Sequence, residues 1–395
     1  MNVASPRRRR AVLLARTLLA IGLILLVGYG TALLSIGHSQ LARAVVWLES
    51  DVDDWQRFPA RTMAASGQPF AFERAESDAT ERAFAAAAES LALPTDDLEQ
   101  FLDDTRTTAF IVIRDDAIIA EWYGNGADAQ ATQTSFSMAK SYVATLVGIA
   151  IDEGAISSAD DPITQYVPEL LQSDPRFARI TLDHLLTMSS GISYVEQGLP
   201  WSDDATTYYA PDLRAAALAA RIAGEPGEEW LYNNYNPLLL GLVLERATGE
   251  SVAAFAERTL WRRIGTEGEG SWSLDSERSG FEKMESGVNA RAIDFAKLGR
   301  LALREGEWEG ERIVDAQWMR DATSARGPSH EYGRFWWVAD EGGTGRADFF
   351  ARGNFGQFIY VAPETDTIIV RLGREPGYDH WPALLDRLAA GTTLP

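Results

Sequence analysis

The longest uncharged apolar run of the chain covers residues 17–36. This is about the length that a helix needs to cross the hydrocarbon core of a bilayer. Four arginines at 7–10 precede the run and favour the cytosolic side of a membrane. A cleavable signal peptide has a shorter apolar core, so the pattern favours an uncleaved anchor in the cytoplasmic membrane with the body on the extracytoplasmic side. The alternative is secretion after cleavage near Ala42-Arg43-Ala44.

The stretch after the apolar run mixes tryptophan, proline and charge without a period, and is typical of a tether lying against a globular body. We therefore predict a cytosolic basic tail, a transmembrane anchor, a tether and a globular body at residues 1–16, 17–36, 37–77 and 78–395.

Further along, helical and strand-like patterns occupy different parts of the chain. Two β-rich runs at 109–114 and 117–123 flank Asp115-Asp116 and predict a hairpin. Helical patterns lie at 80–93, 182–188, 213–222, 238–247, 252–261, 292–304 and 381–390. Strand patterns return at 332–340, 347–352, 357–362 and 367–373.

Strand-rich ends around a helical middle predict an α/β (α+β) fold. One antiparallel sheet is built from both ends of the chain and flanked by helices, and the middle of the chain forms an inserted helical subdomain. A cleft between the sheet and the insert is the natural place for a site.

A serine opens the apolar helical pattern that follows the hairpin. Ser137 and Lys140 are three residues apart on this helix, which places their Cβ atoms roughly 5 to 6 Å from each other. A helix N-terminus also offers unpaired N–H groups to an oxyanion. Lys140 is one of only three lysines, with Lys283 and Lys297, in a chain that otherwise uses arginine, so a titratable amine is indicated here.

Composition narrows the chemistry. A net charge of -21 argues against nucleic-acid partners, because phosphate binding needs a basic surface. The absence of cysteine excludes a thiol nucleophile, a thiolate metal site and disulfides. No metal or organic cofactor is implied, a small-molecule substrate is expected, and the oligomeric state stays open.

The base that would activate the serine is not an obvious histidine. Nothing forces any of the four histidines toward Ser137: His38, His184, His330 and His380. The loop 230–237 before the next helix offers Tyr232 instead. From these residues alone, the favoured interpretation is that Asn236 caps that helix while Tyr232 and Tyr235 pack beneath it.

Ser137-x-x-Lys140 and Tyr232-x-Asn234 resemble the first two motifs of the penicillin-recognising serine hydrolases. This family comprises class C β-lactamases, D-alanyl-D-alanine carboxypeptidases, related esterases and nylon-oligomer hydrolases. The similarity continues through 183–192, 241–249 and 284–300, and covers roughly residues 80–392. The chain is most similar to the 6-aminohexanoate-dimer hydrolase and esterase branch, with a β-lactamase/transpeptidase-like fold as the implied architecture.

The third family motif, Lys-Thr-Gly or His-x-Gly, is absent. The run 349–357 is similar instead to the Gly-x-x-Gly-Gln strand of the nylon-oligomer hydrolases. That match implies that Gly353 and Asn354 belong to the substrate-binding strand, with the Asn354 N–H as second oxyanion donor beside that of Ser137. The missing lysine weakens binding of a β-lactam carboxylate, for which Arg352 is the candidate substitute.

The resemblance implies a serine hydrolase that forms an acyl-enzyme on Ser137 with carboxylic esters or short linear amides. The alternatives are a β-lactamase or D-alanyl-D-alanine carboxypeptidase, and a non-catalytic penicillin-binding-like protein. Two assignments of the general base are compatible with the sequence. In one, Tyr232 is the base, as a phenolate beside the Lys140 ammonium. In the other, neutral Lys140 is the base and Tyr232 relays the proton to the leaving group.

Two further polar residues and several aromatic residues are candidates for the site. Asn234 is expected to hydrogen-bond the lysine or the substrate. Tyr194 either orients the leaving group or packs at a helix exit. Aromatic candidates for the cleft wall are Trp201, Tyr208, Tyr209, Trp336 and Trp337.

Overall fold

A computed structural model describes residues 6–75, 77–339 and 347–391. Residues 1–5 of the predicted tail, residue 340 at the end of a predicted strand and residues 392–395 lie outside this range. The helices are α1 (Pro6–Ser35), α2 (Gln40–Trp47), α3 (Ala79–Leu91), α4 (Leu98–Asp104), α5 (Ala139–Asp152), α6 (Leu170–Ser173), α7 (Leu182–Leu186), α8 (Asp203–Tyr209), α9 (Leu213–Leu218), α10 (Tyr235–Thr248), α11 (Val252–Ala256), α12 (Ala292–Leu303), α13 (Ala316–Ala322) and α14 (Trp381–Gly391). The strands are β1 (Ala60–Met63), β2 (Glu73–Arg74), β3 (Thr107–Arg114), β4 (Ala117–Tyr123), β5 (Gln133–Thr134), β6 (Gly270–Ser273), β7 (Val288–Ala290), β8 (Glu307–Trp308), β9 (Glu311–Arg312), β10 (Trp337–Val338), β11 (Phe349–Gly353), β12 (Gln357–Ala362) and β13 (Thr367–Gly373).

The chain divides into two compact units. The small unit comprises Met1–Ser50 and Val195–Pro211, and the large unit comprises Asp51–Tyr194 and Asp212–Pro395. In the small unit, the part of α1 from Leu13–Ser35 has a mean hydropathy of 2.2 and is not buried. By length and composition it is suited to crossing a membrane, although a signal sequence meets the same criterion.

The predicted tether contains regular structure. The segment 37–77 includes α2 in the small unit and β1 and β2 in the large unit. Strand β1 pairs with β6 of the same unit. Hydrophobicity does not mark the buried face of α2, because the larger apolar residues Leu41 and Val45 are exposed whereas Ala42 and Ala44 are buried. Helix formation there depends on burial against α8, which lies about 160 residues away in sequence.

A seven-stranded sheet is the centre of the large unit. Its strand order is β10-β11-β12-β13-β3-β4-β2, so the two ends of the described body meet where β13 pairs with β3. All neighbouring pairs are antiparallel except β2 with β4, which are parallel. The predicted hairpin and the sheet built from both chain ends are confirmed.

The strands bury alternate residues against helices on opposite faces. Phe358 and Tyr360 of β12 face a core formed with α3, α4 and α14. The intervening Ile359 faces α12, where its side chain lies against Gly299. The three-layer order of helix, sheet and helix leaves both sheet faces dry, which explains why β12 and β13 are buried along their whole length.

The predicted helical middle also contains strands, in a second sheet with the order β1-β6-β7-β5. The strands of this sheet have only two to four residues, so they present no period that sequence patterns reveal. Strand β5 ends at Thr134, which places the start of α5 at the edge of this sheet.

Candidate active site

Ser137 lies in a short turn between β5 and α5. The backbone N–H of Ser135 donates to the Val288 carbonyl (2.8 Å), which extends the β5–β7 pairing to the turn. Phe136 then adopts a left-handed φ of 44°. A non-glycine residue in this conformation is strained, and such strain concentrates at functional sites. Helix α5 begins at Ala139 and is buried through Ala150, so the turn is held by a rigid support.

Lys140 is one turn further along and contacts the serine directly. Its Nζ atom is 2.8 Å from Ser137 Oγ and 3.1 Å from the Glu285 carbonyl oxygen. The side chain is 1% exposed, and its Nζ lies 4.8 Å from the ring centroid of Tyr232. Within the described residues these three partners, a hydroxyl, a backbone carbonyl and an aromatic ring, are uncharged groups.

The loop that carries Tyr232 is held by backbone hydrogen bonds and by Asn233. Leu231 N–H donates to the Met188 carbonyl (2.8 Å), and the Asn233 amide donates to the Ile192 carbonyl (2.9 Å). Asn233 Oδ1 accepts from Tyr235 N–H (2.8 Å) at the start of α10. Asn236 is not the cap considered above, because it lies inside α10, where its Oδ1 accepts from Ser190 (2.8 Å).

Tyr232 stands among aromatic side chains. Its ring stacks on Trp337 with a centroid separation of 5.8 Å and lies 6.2 Å from the ring of Tyr332. Burial, and then the proximity of Tyr232, raise the pKa of Tyr332 well above its ordinary value, so Tyr332 stays a neutral phenol. Trp336, the other aromatic candidate in this strand region, is fully buried against Phe349 and is part of the core.

Asn234 and Tyr194 form a polar pair beside this loop. The Asn234 amide donates to the Tyr194 hydroxyl oxygen (2.9 Å). Asn234 Oδ1 is buried and has no hydrogen-bond partner among the described residues. A buried acceptor without a partner is unfavourable, so this oxygen is available to accept a hydrogen bond.

The end of β11 lies against the serine turn. A Cβ atom on Gly353 would collide with the Ser135 carbonyl oxygen, so only glycine allows this approach. Asn354 follows at the start of a kinked turn in which Phe355 has a φ of 60°. The rings of Phe136 and Phe355 are in contact, with centroids 5.1 Å apart. Two strained aromatic residues thus flank the backbone N–H groups of Ser137 and Asn354.

Arg371 holds this second turn in place. Its guanidinium is fully buried and donates to the carbonyls of Phe355 (2.7 Å) and Gly356 (2.8 Å). It also donates to the Thr105 carbonyl (2.8 Å) and lies over the ring of Trp381. The sequence reasoning missed Arg371, and only its place in an otherwise apolar strand marked it as unusual.

The other two lysines are also buried, but each is paired with acidic groups. Lys283 Nζ is 2.9 Å from Glu285 Oε1, and both side chains are 2% exposed. Lys297 Nζ is 3.2 Å from Asp294 Oδ1. Glu285 was also missed, although its carbonyl contacts Lys140 and its carboxylate contacts Lys283.

The remaining candidates lie elsewhere or have other roles. His184 Nδ1 accepts from the Thr181 N–H (3.2 Å) in a helix cap, and burial lowers the pKa of this imidazole. Arg352 is exposed and its guanidinium lies 5.9 Å from the ring centroid of Phe358. Four other candidates belong to the small unit: His38, Trp201, Tyr208 and Tyr209.

Comparison with known proteins adds independent information. A family model described as Beta-lactamase matches residues 95–389. The 6-aminohexanoate-dimer hydrolase of Paenarthrobacter ureafaciens is 30% identical over 370 residues, which cover 85% of this chain and 91% of that protein.

Solved structures show the same fold. A proposed 6-aminohexanoate-dimer hydrolase from Bacillus anthracis aligns with a TM-score of 0.73 at 20% identity, over 90% of this chain and 95% of that one. A family VIII carboxylesterase aligns with a TM-score of 0.57 at 18% identity, over 81% of this chain and 98% of that one. At these identities the likeness supports the fold alone, and the predicted fold class is confirmed.

Proposed function

The chain belongs to the beta-lactamase family and is a serine hydrolase, and from this premise we propose that it cleaves carboxylic esters or short linear amides through an acyl-enzyme on Ser137. The observation that carries the proposal is the 2.8 Å separation of Lys140 Nζ and Ser137 Oγ at a buried helix start. An amine at this distance from a hydroxyl is placed to take its proton.

In the proposed mechanism, neutral Lys140 accepts the Ser137 proton as Oγ bonds to the substrate carbonyl carbon. The N–H groups of Ser137 and Asn354 donate to the oxyanion, and the flanking strained residues orient them. The proton then reaches the leaving alcohol or amine, with Tyr232 as relay. Water attacks the acyl-enzyme in the second half-reaction, which releases the acid and restores Ser137.

The strand that would bind a β-lactam carboxylate and the name of one relative support linear substrates over β-lactams. The family lysine that would bind a β-lactam carboxylate is absent, and Arg352 at the neighbouring strand position is exposed. The unpaired oxygen of Asn234 is suited to a substrate N–H donor, which a linear amide and the acylamino side chain of a β-lactam both offer, so it does not separate these two classes. The relative from Paenarthrobacter ureafaciens is named for a linear amide dimer.

A substrate panel tests the proposal. The native chain should turn over p-nitrophenyl esters or the 6-aminohexanoate dimer faster than it turns over nitrocefin or D-Ala-D-Ala peptides, with rates measured spectroscopically and by amine release. Native protein inactivated with a fluorophosphonate provides the background rate. A nitrocefin rate above the ester rate would instead support the β-lactamase alternative.

We also propose that α1 anchors the protein, with the basic end in the cytosol and the large unit on the extracytoplasmic side. The uncharged length of the helix and the four arginines before it support this orientation. The full-length chain should stay in the membrane fraction after alkaline carbonate extraction, on an immunoblot with an epitope at the C-terminus. Release of a mature chain shorter by about forty residues would support a signal peptide.

A further inference from the structure

The exposed apolar side chains of the protein are concentrated in the small unit. Outside α1, the described residues include eight large apolar side chains that are exposed, and six of them belong to this unit. The six are Leu41, Val45, Leu48, Val195, Leu199 and Trp201. Leu48 is 70% exposed and Trp201 is 71% exposed. Soluble surfaces scatter such residues singly, so a concentration within a short part of the chain indicates a binding surface.

Helix α2 presents two of these residues along one stripe. Leu41 and Val45 are four residues apart, which places them on one face of the helix. Leu48, which is also exposed, follows directly after the helix ends at Trp47. The opposite face is centred on buried Arg43, with buried Ala42 and Ala44 on either side of it. The exposed stripe is therefore not needed for packing within the unit.

The buried face of α2 is tied firmly to α8 and to the end of α1. Arg43 is 3% exposed, and its guanidinium donates to the Ile36 carbonyl (3.0 Å) and to the Tyr209 carbonyl (3.2 Å). The Gln40 amide donates to Thr206 Oγ1 (2.9 Å), and the Tyr209 hydroxyl donates to the Leu48 carbonyl (2.9 Å). The outward stripe of α2 thus has a fixed position next to the end of α1.

The second group of exposed apolar residues lies on an ordered loop. The Val195 N–H donates to Asp203 Oδ2 (2.8 Å), and the Asp203 N–H donates back to the Val195 carbonyl (3.1 Å). The Leu199 N–H donates to Ser202 Oγ (3.2 Å). These bonds close a loop that displays Leu199 and Trp201 to solvent.

The distance from α1 limits what can cover this surface. Only residues 36–39 separate α1 from α2, and a fully extended chain spans at most about 3.5 Å per residue. The His38 N–H donates to the Ser35 carbonyl (2.9 Å), so the connection is a turn and shorter still. If α1 spans a bilayer, α2 begins within the headgroup region, where tryptophan is enriched.

We propose that the exposed stripe of α2 and the 195–201 loop form a lipid-binding surface that lies in the headgroup region of the bilayer that α1 enters. The proposal rests on the membrane anchor proposed above. The binding is apolar in character, because the only lysine or arginine in residues 36–50 and 195–211 is the buried Arg43, whereas Glu49, Glu196, Asp203 and Asp204 are acidic. An uncharged phosphatidylcholine bilayer should therefore suffice as partner.

Site-specific fluorescence tests this surface on the full-length chain. The protein has no cysteine, so a single cysteine at each chosen position accepts one environment-sensitive NBD label without background. The test positions are Leu41→Cys, Leu48→Cys and Leu199→Cys. Leu171→Cys, on an exposed apolar residue of the large unit, is the matched control, and Leu25→Cys in α1 reports on anchoring. All variants are reconstituted in dioleoylphosphatidylcholine vesicles.

The three test labels should emit at shorter wavelength than the Leu171 label. Because interfacial helices lie about 5–10 Å deep, a lipid with its spin label near the headgroup should quench the test labels at least about twofold more than the Leu171 label. If the Leu25 label is quenched while the test labels emit as in water and are not quenched, the anchor is intact and the proposed surface is overturned. Blue-shifted test labels that spin-labelled lipids do not quench would show that a second copy covers the surface, which also overturns it. Because Leu25 lies near the middle of the proposed span, a lipid spin-labelled deep in its acyl chain is the quencher for this label, and an unquenched Leu25 label would remove the anchor and the surface together.

Discussion

Protein carrying Ser137→Ala is expected to lose at least about 10⁴-fold in kcat/KM toward every ester that the native chain turns over. The alanine removes the oxygen that bonds to the substrate carbonyl and leaves Lys140 without its hydroxyl partner. Lys140→Met should cause a loss of similar size, because the nucleophile and the group that takes its proton act as a unit. For the same reason, the double variant should be little worse than either single variant.

Kinetics with a chromogenic ester and labelling by a fluorophosphonate probe measure this effect. Ser141→Ala is the matched control, since Ser141 lies one turn later in α5, is buried, and donates only to the Phe335 carbonyl (2.7 Å). It should lose about 1 kcal/mol of stability and keep its activity and labelling. Labelling that survives Ser137→Ala, or additive losses in the double variant, would contradict the assigned roles.

The second large effect is expected at the close approach of β11 to the serine turn. Gly353→Ala should lower kcat by about 10²–10³-fold, the loss that accompanies removal of one oxyanion donor. The added Cβ meets the Ser135 carbonyl oxygen and lies 3.0 Å from Phe136 Cβ, so the strand must move away and take the Asn354 N–H with it. The effect should fall on kcat more than on KM, because the oxyanion forms only in the transition state.

Gly67→Ala is the control for this substitution, because a Cβ at Gly67 meets nothing within 4 Å. Thermal unfolding of both variants separates a loss of folded protein from a loss of catalysis. A folded Gly353→Ala protein with native kcat would show that the Asn354 N–H does not serve the oxyanion.

The three lysines show what composition alone can and cannot predict about the site. Their scarcity singles out three positions, and all three are buried: Lys140, Lys283 and Lys297. Two of them form ion pairs with Glu285 and Asp294, so scarcity indicates burial rather than catalysis. What distinguishes Lys140 is its set of neutral partners, and this depends on the Glu285 carbonyl and the Tyr232 ring, which come from distant parts of the chain.

The strands likewise divide into those that the sequence predicts and those that it does not. Strands β12 and β13 begin and end at the predicted residues, because long apolar runs bounded by turns specify buried strands locally. Strands β5, β6 and β7 escaped notice, because two to four residues carry no period and are stabilised only by their partners. Yet β5 and β7 set the position of the serine turn.

Local patterns were enough to predict the apolar anchor-like helix, the hairpin, the strands at both ends of the body and the helix that follows Ser137, since each depends on a few neighbouring residues. Three features required the folded structure: the uncharged partners of Lys140, the support that Arg371 gives to the turn beside the serine, and the apolar stripe that α2 exposes next to the end of α1. Some of these contacts join segments that are more than two hundred residues apart in sequence. Their energies exist only once packing has excluded water around them, so no local pattern can encode them.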